Sequence, residues 1–273
     1  MDDANTTSEL RGTGRHGRHQ TTCPNPLRMP ARLMALPLVL TLVAGCTSPD
    51  GAEPQERTFG PVRDRVTILL NSGDLDVRPA DVEALQVTRW FTGGIGLGGR
   101  PETSWEFDGH DLVLDTDCPV IDLGGCRVRY EVLVPEDVAL AVEGANGEIT
   151  AAGFSTELRI SSDNGGVEVD GVSGPLSMSS SSGRLRATAL ASDRVDAESE
   201  NGEVRISFAD VPDEVTARTE NGAVTVQVPD GEYDVSVTTD SGSVDSDVTD
   251  TPGSPHAITA ATDNGSIDLR RND

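Results

Sequence analysis

The chain has 273 residues, 36% of them hydrophobic and only 3% aromatic; it contains no lysine and carries a formal net charge of −25. That length suits one large all-β domain, whose core must be built from Val, Leu, Ile and Ala. A chain this acidic repels phosphate backbones, and no basic patch with interleaved aromatics is present, so nucleic acid is excluded as a partner.

Arg28 and Arg32 precede an apolar run at residues 33–44, too short to span a bilayer as a stable helix, which reads as an export signal that is removed. The run ends Val43-Ala44-Gly45-Cys46, which resembles the bacterial lipobox, where the cysteine is lipidated and becomes the mature N-terminus. Residues 1–45 are thus assigned to a signal peptide whose start, upstream of Met29, is over-extended. Residues 46–59, rich in Pro, Gly, Asp and Glu, are expected to form a flexible tether. The part that follows residue 45 holds 43 acids and 16 arginines.

Residues 60–143 are expected to cap the domain. Asn71-Ser72-Gly73-Asp74-Leu75 is an isolated copy of a unit that recurs later, and it is assigned to the N-terminal rung. Strands around Trp90 and Phe91, then Trp105 and Phe107, flank a glycine-rich loop and form a hairpin. Gly94-Ile95-Gly96-Leu97-Gly98-Gly99 has the spacing of a dinucleotide fingerprint, but Arg100-Pro101 follows where a helix N-terminus is needed, so it reads as a loop. The four aromatics are assigned to a core plug, with a sugar-binding surface as the alternative. Cys118 and Cys126 remain as the only pair in an oxidising compartment once Cys23 is removed and Cys46 lipidated, and they are expected to form a disulfide. His110 and His256 are expected to be solvated loop residues, too few for a Ser-His-Asp relay.

From residue 144 to 273 the chain repeats a unit of polar residue, Asn or Ser, Gly, any residue, then two apolar residues flanking a polar one. Its glycines fall at Gly147, Gly165, Gly183, Gly202, Gly222, Gly242 and Gly265, with Gly73 as the early outlier. Spacings of 18, 18, 19, 20, 20 and 23 mark stacked repeats. A second apolar-polar-apolar strand, such as Leu158-Arg159-Ile160, lies between successive glycines. The prediction is a parallel β-solenoid with rungs of about 18–23 residues and an N-terminal hairpin cap. Because Asn-Gly between strands is also a hairpin signal, an antiparallel β-sandwich is the alternative. The turn glycines are expected at φ above zero.

The residues ahead of these corners, Asp163, Glu200, Glu220, Asp240 and Asp263, should stack in one column interrupted by Ser181. They are weak calcium ligands at best, since the glycine-aspartate nonapeptide of calcium β-rolls is missing. The lipobox, Asn71-Ser72-Gly73-Asp74-Leu75-Asp76-Val77, the strand ending Val132-Leu133-Val134-Pro135 and the serial Gly-x-Val-x-Val units together resemble the putative-adhesin family of β-strand-repeat bacterial lipoproteins, a family of unknown function. The resemblance spans roughly residues 60 to 270. The expected function is a non-enzymatic lipoprotein without cofactor, held by its lipid on the outer face of the cell membrane. There it would present an elongated acidic solenoid that binds an envelope protein or glycan, or acts as a spacer. The alternatives are a carbohydrate-active β-helix enzyme, given the plentiful carboxylates, and a calcium-stabilised structural module.

Overall fold

Apolar residues alternating with polar ones through the repeats make strands with one buried face, and the computed structural model arranges these strands as two facing sheets. It describes residues 52–93, 102–118 and 125–272. The signal segment, Cys46 and the glycine-rich loop at 94–99 lie outside these residues.

The strands before the regular repeat are β1 (Gln55–Phe59), β2 (Arg65–Leu70), β3 (Asp74–Ala80), β4 (Leu85–Thr92), β5 (Glu102–Phe107), β6 (Asp111–Asp117) and β7 (Arg127–Pro135). Each later rung contributes one longer and one shorter strand. They are β8 (Ala139–Asn146) and β9 (Ile149–Ala152), β10 (Leu158–Asn164) and β11 (Val167–Asp170), β12 (Leu176–Ser182) and β13 (Leu185–Leu190), and β14 (Arg194–Asn201) and β15 (Val204–Phe208). The last three rungs are β16 (Glu214–Asn221) with β17 (Val224–Val228), β18 (Asp234–Ser241) with β19 (Val244–Ser246), and β20 (Ala257–Asn264) with β21 (Ile267–Arg271).

The 11-stranded sheet runs β1-β4-β7-β3-β9-β11-β13-β15-β17-β21-β19, and the 10-stranded sheet runs β18-β20-β16-β14-β12-β10-β8-β2-β6-β5. Every pairing between rungs is parallel, with Leu158 opposite both Leu140 and Leu176, and Val167 opposite both Ile149 and Leu185. The fold is therefore a β-solenoid-like stack, not the antiparallel sandwich. Asn-Gly marks a corner between the two sheets.

Across most rungs a larger buried residue pairs with a smaller one. Val142, Ile160 and Met178 share rungs with Ala151, Val169 and Ala187, whereas Ala197, Ala217 and Ala260 share rungs with Ile206, Val226 and Leu269. Except in the rung of Ile160 and Val169, each pair includes one alanine, so a bulky residue on one sheet meets a small one on the other.

One expectation about order is corrected, and the far end departs from chain order as well. The rung of β2 and β3 is not terminal: it stacks on β8 and β9, and the rung of β6 and β7 lies outside it. At the other end β20 and β21 slot between β16–β17 and β18–β19. The same physical reason serves at both ends. In the outer rung β6–β7 the Cys118–Cys126 disulfide lies between the two strands in sequence, where other rungs have an Asn-Gly or Ser-Gly corner, and the outer rung β18–β19 puts Ser246 opposite Leu269. Rungs with a complete corner and a fully apolar interior take the inner places, where burial is greatest.

The tether assignment is also corrected in part, because Gln55–Phe59 form β1, antiparallel to β4. Phe59 is buried and meets Trp105 and Phe107 edge-on at 6.3 and 6.1 Å, so it belongs to the plug. The buried Arg89 guanidinium lies 4.2 Å over Trp105. Phe91 packs there too, whereas Trp90 lies on the opposite side of β4 under Arg129 at 5.5 Å and is not part of the plug. Cys118 and Cys126 are disulfide-bonded, with Cα atoms 5.9 Å apart. His256 is not a solvated loop residue: half-buried, it lies 3.0 Å from the Pro212 carbonyl, with Tyr233 edge-on at 6.3 Å.

Candidate binding face

Each corner begins where the long strand of a rung ends. The residue before the glycine stacks in register on its counterparts, so that Asn146, Asn164, Ser182, Asn201, Asn221, Asn264 and Ser241 form one column. Part of that column is hydrogen-bonded carboxamide to carboxamide: Asn221 Nδ2 donates to Asn201 Oδ1 and Asn264 Nδ2 to Asn221 Oδ1, both at 3.1 Å. At the first corner Asn146 Nδ2 donates to the Asn71 carbonyl at 3.2 Å.

The glycines that follow are required by proximity more than by dihedral angle. Gly73 and Gly147 do have φ of 120° and 118°, but Gly165, Gly183 and Gly202 are not at positive φ, and Gly222, Gly242 and Gly265 at 159° are nearly extended. A Cβ on Gly165 would fall far inside contact distance of the Gly147 carbonyl oxygen, and one on Gly202 would meet the Gly183 oxygen the same way. Backbone lies against backbone at every corner, so no side chain fits.

From Gly165 onward, a hydroxyl stands three residues before each corner glycine: Ser162, Ser180, Ser199, Thr219, Thr239 and Thr262. Thr219 Oγ1 donates to the Gly202 carbonyl at 3.0 Å, Thr262 Oγ1 to that of Gly222 at 3.1 Å and Thr239 Oγ1 to that of Gly265 at 3.3 Å. Ser180 Oγ is buried without a partner. The sequence reading missed this ladder, although its spacing to the glycine is constant.

The outward face of the 10-stranded sheet, next to these corners, carries the candidate site. Ser161, Ser179, Glu198, Arg218 and Ala261 stack in one column. The expected acid column runs beside it, with its order changed by the inserted rung to Asp163, Ser181, Glu200, Glu220, Asp263, Asp240. The first column, with Ser181, Glu200, Glu220 and Asp263 of the second, lines an open groove of about 520 Å³. A second groove of about 390 Å³, lined by Asp115, Glu143 and Asp163 among others, shares Ser161 with it and extends the acidic face toward the capped end. Arg218 Nη1 donates to Glu198 Oε1 at 3.1 Å and is the cation of the main groove. Beyond Glu198 along the same strand, partial burial and the Glu198 and Glu214 carboxylates hold the Asp196 carboxyl above the ordinary value, partly opposed by Arg218.

The groove therefore offers a carboxylate or hydroxyl acceptor at each rung, with adjacent rungs roughly 4.8 Å apart. Chemically, such a row of acceptors can take hydrogen bonds from hydroxyl or cationic donors. The five weak metal candidates are spread one to a rung, and among the described residues no group of three or more His, Cys, Asp or Glu is placed to hold a metal ion.

Solved structures similar to this chain come from several bacteria. A putative adhesin from Parabacteroides merdae is 10% identical, covering 82% of this chain and 98% of its own, with a TM-score of 0.45. A putative cell adhesion protein from Clostridium sporogenes is 12% identical, covering 81% of this chain and 100% of its own, with a TM-score of 0.32. A putative lipid binding protein from Parabacteroides distasonis is 15% identical, covering 82% and 98%, with a TM-score of 0.30. No curated protein matches the chain. The profile of one family, however, follows the repeat from the first rung to the last strand, matching residues 61–270, and on that ground the chain belongs to the Toastrack DUF4097 family.

Proposed function

We propose that this chain is a non-enzymatic, lipid-anchored envelope protein that presents the outward face of its 10-stranded sheet to an extended, hydroxyl-rich or cationic partner, an envelope glycan or protein. The observation that carries the reading is the groove itself, in which acceptor side chains recur in register along successive rungs. A surface that repeats with the backbone period suits a polymer better than a compact small molecule, which calls for a closed pocket with a few convergent groups.

Cys46 is the attachment point in this reading, and β1 begins nine residues beyond it. The adhesin names of the compared structures agree with a binding role but add no weight at their level of similarity. Two measurements test the proposal. Cys46→Ser should move the protein from the membrane fraction to the soluble fraction; retention in the membrane with unchanged mass overturns the anchor. On a glycan array and in envelope pull-downs, the mature chain should lose its partner when Glu198, Glu200 and Glu220 are all changed to Gln. Capture that survives this change places the partner elsewhere.

A further inference from the structure

Five corners contain Asn followed by Gly, at Asn146, Asn164, Asn201, Asn221 and Asn264. Such a pair is chemically reactive. Once the glycine N–H loses its proton to hydroxide, the nitrogen can attack the asparagine Cγ. The new N–Cγ bond closes a succinimide, the Cγ–NH2 bond breaks and ammonia leaves. Water then opens the ring at one carbonyl or the other, giving Asp or isoaspartate. In a free chain, glycine on the C-terminal side makes every one of these sites fast. In the fold, the carboxamide must be free to swing toward the nitrogen.

Four of the five carboxamides are tied. Asn146 donates to the Asn71 carbonyl at 3.2 Å and Asn201 to the Ser181 carbonyl at 3.3 Å. Asn221 both donates and accepts within the ladder, and Asn264 donates to it. Asn164 is the exception: it is exposed, and its carboxamide has no hydrogen-bond partner among the described residues. The cause lies in the neighbouring rungs. Ser182 occupies the next place in the column and cannot relay a carboxamide ladder, while Asn146 on the other side is turned toward Asn71.

The backbone side of the reaction does not single out any other site. Gly165 N is bonded to the Ser182 carbonyl at 3.2 Å, and the other four glycine nitrogens are held in the same way at 2.9–3.3 Å. Each corner must therefore break one backbone bond for the reaction to proceed. Asn164 has no side-chain bond to break besides.

We propose that Asn164 is a site of spontaneous deamidation in the folded protein, converting ahead of the other four Asn-Gly pairs. This inference stands apart from the proposed binding role. The product is not silent. Asp at this position sets a new carboxylate beside Asp163, and isoaspartate lengthens the main chain by one methylene at a corner where adjacent backbones already leave no room for a Cβ.

The test is to age the full folded chain at mildly alkaline pH and follow all five sites by peptide mass spectrometry in 18O-labelled water, alongside a parallel sample in denaturant. In the folded chain Asn164 should convert several-fold faster than Asn221 and Asn264. In denaturant, where only local sequence acts, that lead should vanish. Equal folded-state rates overturn the proposal, as does a lead that persists unchanged in denaturant, which would trace it to the following Gly165-Gly166 instead of to the fold. Asn164→Ser, the residue already tolerated at 182, should fold normally and delete the first acidic species seen on charge separation; if that species still forms, the assignment is wrong.

Discussion

A hydrogen atom is the largest substituent that the Cα of Gly202 tolerates, because a Cβ there would run into the Gly183 carbonyl oxygen. Gly60 is the natural contrast, with nothing within 4 Å of a Cβ and no positive φ. Gly202→Ala should therefore destabilise by roughly 1–3 kcal/mol or more, as overpacking does in a site that cannot expand, and Gly60→Ala by less than about 0.5 kcal/mol. Denaturant melts of the two variants read the difference directly, and equal midpoints would show that the corner backbones are not in contact. The sequence led to the right residues here through the wrong cause: Asn-Gly suggested left-handed turns, whereas at Gly165, Gly183 and Gly202 the requirement is stacking against a neighbour some twenty residues away.

Along a single long strand, the alternation that buries apolar residues continues into a hydroxyl at the third position before the corner. The strand β16 buries Val215 and Ala217, then Thr219, which returns its polar group to the corner of the previous rung. A buried hydroxyl with a partner is worth about 0.5–1.5 kcal/mol, whereas one without a partner carries a desolvation cost. Thr219→Val is therefore expected to cost roughly that amount, while Ser180→Ala, which removes an unpartnered Oγ, should be neutral or stabilising. Thermal melts of both variants against the parent check this; a Ser180→Ala loss as large as that of Thr219→Val would mean that Ser180 has a partner after all. This ladder was legible in the sequence, since the offset from each glycine is constant from Gly165 onward. Its partners were not, because the acceptor belongs to another rung.

For the molecule as a whole, the two ends differ. Antiparallel strands and an aromatic plug close one end, while the other stops at β18 and β19, where Val235 and Val237 are half-buried and Val244 is 48% exposed. The stack is roughly 45 Å long, from ten strands at about 4.8 Å. Because β18 pairs with β20 and β19 with β21, the last rung in sequence holds the outermost rung in place. A chain ending at residue 250 should thus lose hydrogen-exchange protection over residues 234–246 while keeping it over residues 158–208. If residues 234–246 remain protected, they can stack on β16 and β17 unaided, and the inserted rung is dispensable to them.

The sequence by itself determined the period of the repeat, the strand that lies between successive glycines, the inward and outward faces, the column of acids and the one cysteine pair. These are local properties: alternation sets the faces, and a corner recurring at near-constant spacing forces like onto like. The choice between parallel stack and sandwich was weighted by that even spacing, and parallel pairing in register settled it. Only the tertiary structure decided which rung lies on which. Inner rungs present nearly the same corner and the same apolar interior, so no local pattern distinguishes neighbour from next-neighbour. The order at each end matches what a rung lacks, an Asn-Gly or Ser-Gly corner in β6–β7 and any apolar residue at Ser246, because a defective rung loses least where only one side is covered. The same non-local ordering carried Phe59 from an expected tether into the plug, and placed Ser182 where it breaks the carboxamide ladder beside Asn164.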